Sequence, residues 1–282
     1  MTASPRKRAI HQVIEYLESI KDPGQKHIEV DMSEVRSLKK KAASTLRPKP
    51  IVAVPPPAPL PPVAKKVPPS APVTTAKPPP PRAIPSVAET ADAQKKLTAI
   101  ANRVAACTLC VLCETRTNTV PGQGHARPDL MFIGEGPGAD EDQQGLAFVG
   151  RAGQLLTKII ESMGLTRDEV FIGNIVKCRP PGNRVPEPDE INKCIPYLKE
   201  QIAILKPKVI VCLGSSAVKG LFGPDLPGIS KIRGQWRSYE GIDVMPTYHP
   251  AYLLRNPAGG KKEVWADMKT VLARLGRTVP SR

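Results

Sequence analysis

The chain predicts an α/β protein. Its expected core is a mostly parallel, four-stranded sheet with helices on both faces, preceded by a short helical segment and a disordered linker. Three observations carry this. From Glu89 onward, short runs rich in Val and Ile alternate with longer stretches of helical period. Those runs are apolar throughout, as strands are when both faces of their sheet are covered. Finally, 16 of the 33 prolines fall between Pro48 and Pro85, which excludes that stretch from any core.

Residues 1–45 read as a short helical segment, because Ile10, Val13, Ile14, Leu17 and Ile20 form one apolar stripe. One such helix is marginal alone in water. It is expected to pack on the neighbouring stretch 27–41 or to dock on a partner protein. Residues 46–90 read as a Pro/Lys-rich disordered linker of polyproline II character. No acidic residue occurs from Val35 to Ala88, so most of the formal net charge of +15 lies on a stretch with little apolar surface to bury. Such a tether is either a solvated spacer, an arm that attracts DNA through counterion release, or a proline-rich ligand for a partner domain.

Residues 91–282 suit one domain of ordinary size. Ala91–Ala106 is expected as a helix, with strands at Asp129–Glu135, Val170–Val176, Val209–Gly214 and Val244–Tyr248. Helices are expected at about 152–163, 187–205, 215–222 and 261–276. Ligands of parallel sheets collect at the carboxyl ends of the strands, where Glu135, Asn174 and His249 fall. No apolar run approaches the roughly 20 residues needed to span a bilayer. The first residues lack the apolar region of a secretory signal, and the six cysteines are then free thiols or metal ligands, so the expected compartment is the cytoplasm.

Cys107 and Cys110 form a C-x-x-C pair, and Cys178 and Cys194 supply two further ligands, a set suited either to zinc or to a [4Fe–4S] cluster. Cys113 is close enough to Cys110 to compete as a ligand. Cys212, inside VIVCLG, reads as a packing residue. The GEGPG block at 134–138 lets backbone pass close to a ligand and projects Glu135, although its glycines do not match a dinucleotide fingerprint. His249, between a strand and Pro250, reads either as a structural histidine bound to backbone or as a hydrogen-bond donor at a pocket rim. Asn174, in a strand otherwise rich in Ile and Val, must be hydrogen-bonded or read a polar ligand. Phe148 reads as a core aromatic or as a stacking platform for a base.

In order along the chain, CTLCVLCETRT, GEGPGADE, FVGRAGQLL, NIVKCRPPGNRxP and HPAYLLRNP resemble the motifs of the iron–sulfur, or type 4, uracil-DNA glycosylases. The resemblance runs from about Thr98 to Leu275. It implies an α/β/α sandwich and a [4Fe–4S] cluster on Cys107, Cys110, Cys178 and Cys194, with Cys113 outside it. It also implies a monofunctional DNA-repair hydrolase that flips uracil out of single- or double-stranded DNA and leaves an abasic site. Glu135 and His249 would be catalytic, with Gly136, Glu141, Phe148 and Asn174 joining His249 around the uracil. Glu141 is expected to help exclude the thymine methyl, and Gly136 stands where the family accepts glycine or alanine. Leu253, Leu254 and Arg255 would wedge into the DNA and reach its backbone. A monomer is expected. The competing readings are a glycosylase for other deaminated bases, such as hypoxanthine or xanthine, and a non-catalytic, metal-clipped nucleic-acid-binding module.

Overall fold

A computed structural model describes residues 86–280 apart from Ala258. The expected helical segment 1–45 and nearly all of the linker lie outside the described residues. Helix α1, Val87–Ala105, begins four residues before the expected start. Ser86 caps it: the Ser86 hydroxyl accepts from the Glu89 amide at 3.2 Å, and the Glu89 carboxylate accepts from the Ser86 amide at 2.8 Å. Ala93, Leu97, Ile100 and Val104 form its buried stripe, which faces helix α4, Pro188–Leu205.

The sheet comprises β1 Gln123–Gly124, β2 Leu130–Gly134, β3 Phe171–Asn174, β4 Val209–Leu213, β5 Arg237–Tyr239 and β6 Ile242–Thr247. Its order is β1-β3-β2-β4-β6-β5. The four expected strands are its parallel centre, and the sheet extends beyond them to six. Both added strands are antiparallel edges of two and three residues. Strands that short carry no readable period, and their pairing comes from neighbours distant in sequence.

The remaining helices are α2 Ala139–Gln144, α3 Arg151–Ser162, α5 Ser215–Phe222, α6 Ile229–Ile232, α7 Pro250–Arg255 and α8 Lys261–Arg274. Successive residues of the central strands point to opposite faces. Met131, Ile133, Ile210, Cys212 and Val244 join one core with side chains of α1, α4 and α5. Leu130, Phe132, Val209, Val211 and Met245 join the other with side chains of α3 and α8. The fold is therefore a three-layer α/β/α sandwich. Cys212 is fully buried in the first core, as its packing role requires.

Glycine fixes two close approaches that shape the site. A Cβ at Gly134 would lie 2.5 Å from both Asn174 Oδ1 and Phe148 Cζ. A Cβ at Gly153, inside α3, would collide with the backbone carbonyl of Phe148, which cannot yield as a side chain can. Gly220, by contrast, would meet only the Ile175 side chain. Gly153→Ala is expected to cost about 3 kcal/mol of stability, whereas Gly220→Ala costs about 1 kcal/mol or less. Urea unfolding of the two variants measures this difference.

Candidate active site

The parallel register aligns the carboxyl ends of the central strands. Gly134 pairs with Asn174, and Leu213 pairs with Thr247. Glu135 follows β2, Asn174 ends β3, and His249 lies two residues past β6. All three line one cavity of about 140 Å3, together with Gly136, Glu141 and Phe148. The five residues expected around the uracil thus line one cavity with the expected catalytic Glu135. Pro180, Asn183 and Arg184, from the loop after β3, form another wall.

Asn174 is buried, and its Oδ1 has no hydrogen-bond partner. A buried acceptor left empty costs on the order of 1–3 kcal/mol, so this atom is one that a ligand N–H would satisfy. Phe148 packs its ring beside it and contacts His249, with centroids 5.7 Å apart and planes tilted by 34°. Phe148 is both a core aromatic and a pocket wall. Its φ of 54° is in the left-handed region, which a non-glycine residue occupies only under constraint.

Glu141 and Arg167 supply that constraint. One Glu141 oxygen accepts from the Val149 and Gly150 amides, each at 2.9 Å, and the other accepts from the Gly138 amide at 3.0 Å. Arg167 donates to the carbonyls of Ala147 at 2.7 Å and Phe148 at 3.1 Å. The Glu141 carboxylate is therefore committed to backbone on both sides of the pocket. Glu141 thereby braces the loop that carries Phe148 while still lining the cavity. At Gly136 an added Cβ would press on a Val176 methyl at 2.8 Å, so alanine there needs a small side-chain adjustment.

His249 caps α7, its Nδ1 accepting from the Ala251 amide at 3.1 Å. Burial, reinforced by the Arg255 guanidinium, draws its imidazole down to about 4. The ring is thus neutral near pH 7, and because Nδ1 accepts, the proton resides on Nε2. Glu135 accepts from the Ser216 hydroxyl. A second cavity of about 250 Å3 adjoins the first and shares Glu135 and His249 with it. Ser216, Tyr248, Tyr252 and Arg255 also line it.

Among the residues expected to wedge into DNA, Leu254 and Arg255 are exposed, but Leu253 is only 2% exposed. Leu253 belongs to the core beneath α7 and cannot leave it without breaking that packing, so the wedge reading is corrected for this residue. Its place in the helix decides this: Leu253 points inward while Leu254, one residue on, points out.

Cys107, Cys110, Cys178 and Cys194 line one small pocket between α1, the loop after β3 and α4, and Cys113 lines it too. Among the described residues, no three His, Cys, Asp or Glu side chains already stand grouped to hold a metal ion. Two of the sulfurs nonetheless face hydrogen-bond donors. Arg116 donates to Cys178 Sγ at 3.3 Å, and the Lys177 amide donates to Cys194 Sγ at 3.2 Å. Burial pushes the Cys194 thiol up to about 12, so only a bound cationic centre would hold it deprotonated at neutral pH.

Sequence reasoning missed Ser216, Arg184, Arg167 and the buried pair Lys177 and Gln201. The last had a signal: Gln201 interrupts the apolar stripe of α4, three residues after Leu198 and one before Ile202.

Residues 121–269 match the model of the Uracil DNA glycosylase superfamily. A type-4 uracil-DNA glycosylase of Sulfurisphaera tokodaii is 51% identical over 166 residues, covering 56% of this chain and 76% of that protein. The type-4 enzyme of Archaeoglobus fulgidus is 40% identical over 189 residues, covering 64% of this chain and 94% of its own. A type-5 uracil-DNA glycosylase of Pyrobaculum aerophilum is 30% identical over 167 residues. With the strand-end pocket and the ordered motifs, these matches show that the chain belongs to the uracil DNA glycosylase superfamily, as a type-4 uracil-DNA glycosylase.

Proposed function

We propose that this glycosylase recognises uracil through Asn174 and Phe148 and cleaves its glycosidic bond with His249 and Glu135. The observation that carries the reading is the unpartnered Asn174 Oδ1 inside a strand-end cavity. Uracil presents an N–H at N3 and a carbonyl at C4, which a carboxamide matches by accepting and donating. Cytosine reverses the pattern at both atoms and would leave buried polar groups unpaired. Phe148 lies beside the amide and offers its ring for stacking.

Cleavage leaves negative charge on the uracil and positive charge on the sugar. The neutral His249, with its proton on Nε2, donates to uracil O2 as charge accumulates there. Its Nδ1 bond to the Ala251 amide holds that tautomer before substrate arrives. Glu135, steadied by the Ser216 hydroxyl, orients the attacking water and opposes the sugar cation. The departing base thus meets a donor and the sugar meets an anion.

Uracil must leave the stack to reach this cavity, at a cost of a few kcal/mol, least in single strands and mismatches. Leu254 and Arg255 are the exposed residues of α7 placed to fill the gap and meet a phosphate. Cys107, Cys110, Cys178 and Cys194 would hold a [4Fe–4S] cluster, which when bound supplies a covalent clip between α1, the loop after β3 and α4. We assign the action to cytoplasmic DNA by a monomer. The role of residues 1–90 as partner ligand or DNA-scanning arm belongs to the same proposal.

Strand scission by alkali on an end-labelled oligonucleotide with one uracil tests the reading. The wild-type chain is expected to yield cleavage at that uracil only after alkali. His249→Ala is expected to lower the rate about 100- to 1000-fold, with the cluster absorbance unchanged. Asn174→Ala is expected to lower it at least as far as one lost buried hydrogen bond allows, about tenfold or more. Wild-type activity on an inosine strand but not on a uracil strand would redirect the assignment.

A second expectation concerns pH. The His249 imidazole is held at about 4 when folded, against 6.5 for an unperturbed histidine. Between those values the unfolded chain binds the extra proton, so stability rises with pH across the window. The group imposes no penalty above pH 6.5 and costs the fold on the order of 3 kcal/mol once the pH has dropped through 4. Urea midpoints at pH 7.5 and pH 4.5 should therefore converge more closely in His249→Gln than in the wild type.

A further inference from the structure

Lys177 is the most deeply buried charged residue among those described, at 1% exposure, and the mechanism above makes no use of it. Its Nζ donates to the backbone carbonyl of Asn174 at 2.9 Å and to Gln201 Oε1 at 2.7 Å. Gln201 in turn donates to the Pro121 carbonyl at 2.8 Å. Lys177 also lines the cysteine pocket, and its own amide donates to Cys194 Sγ. One side chain therefore touches the peptide of the uracil-reading residue while its charge lies beside the five-cysteine pocket.

Both acceptors of the ammonium are neutral, and among the described residues no carboxylate forms an ion pair with Lys177. A buried cation without an ion-pair partner is disfavoured, and a nearby anionic group would offset that cost. The cysteine pocket, whose Cys194 Sγ is bound by the Lys177 amide, would supply one when it holds a cluster. Arg116 repeats the pattern, binding Cys178 Sγ and the carbonyls of Cys107 and Ala105 with no carboxylate partner among the described residues. Lys193, the remaining charged residue that lines the pocket, pairs with Asp189. Arg116 and Lys177 are thus the lining cations without an ion pair among the described residues. A 2+ iron–sulfur core on four thiolates would be dianionic, opposite in sign to both.

We infer that Lys177 is a positioning residue that couples the two sites. Its charge is tolerated because the cysteine-bound group is anionic, and its Nζ fixes the Asn174 peptide so that the carboxamide stands in register with uracil. The inference rests on the proposed role of Asn174. The coupling gives the cluster a consequence for base recognition beyond clipping the chain.

The test uses the full chain with its cluster, and free uracil as the probe, bound by competition against excision. Lys177→Met is expected to weaken uracil inhibition about tenfold, in the range found when a supporting partner of a site residue is lost. It is also expected to speed loss of the cluster absorbance to a chelator several-fold, while Lys177→Arg restores the second property better than the first. Gln201→Leu leaves the ammonium in place but frees its tip. It is expected to weaken uracil inhibition several-fold with little change in the chelation rate, and it serves as the second measurement if the methionine variant does not fold. Unaltered uracil inhibition in whichever variant folds and retains its iron would overturn the coupling. Unaltered chelation kinetics in Lys177→Met would overturn the charge balance. If the wild type releases uracil normally but Asn174→Ala does so too, the underlying reading of Asn174 has failed instead.

Discussion

The shared register of four parallel strands is the constraint on which the site depends. Gly134 stands opposite Asn174, and Leu213 stands opposite Thr247, so the strands stop at nearly one level. Residues from four places in the sequence then leave the sheet side by side. A slip of one residue would send Asn174 to the other face, because side chains alternate along a strand. The interleaved apolar cores on the two faces make such a slip costly, since every buried Val, Ile and Phe would change layers with it.

Around that edge the protein spends buried polar groups on backbone rather than on ligand. Glu141 gathers three amides, Arg167 gathers two carbonyls, and Lys177 holds one carbonyl and one amide side chain. The Glu141 and Arg167 bonds keep Phe148 in a left-handed conformation that it would not adopt alone, which is the form of local strain that surrounding structure must over-determine. The groups left facing the cavity, the Asn174 oxygen and the His249 Nε2, are those a pyrimidine can satisfy. Preorganisation of this kind places the cost of ordering in folding rather than in catalysis.

The cysteine pocket and the base pocket are joined through the same loop. Lys177 and Cys178 lie three and four residues after Asn174, and Arg184, a wall of the base pocket, is bound bidentately by Glu190 of α4, the helix that carries Cys194. Anything that tightens the cysteines together also fixes the position of that loop. The proposed metal clip would thereby act on the geometry of recognition.

Much of this was legible in the chain. The four central strands, the layer order and the meeting of Glu135, Asn174 and His249 follow from apolar runs, helical stripes and the rule that ligands sit at strand carboxyl ends, while Phe148 was placed beside them only by the family resemblance. Those signals are local, and residue type alone states what chemistry each group can perform. The edge strands, the burial of Leu253, the bracing role of Glu141 and the place of Lys177 were decided only in the tertiary structure. For the edge strands and Lys177 the deciding quantity is a partner far along the chain, and for Glu141 it is how the neighbouring loops close around its carboxylate. β1 depends on β3, Glu141 on amides from two loops, and Lys177 on Gln201 across a helix. A sequence names the donors and acceptors; which of them are spent on the fold and which are left for a ligand is set by contacts that form only when distant segments pack.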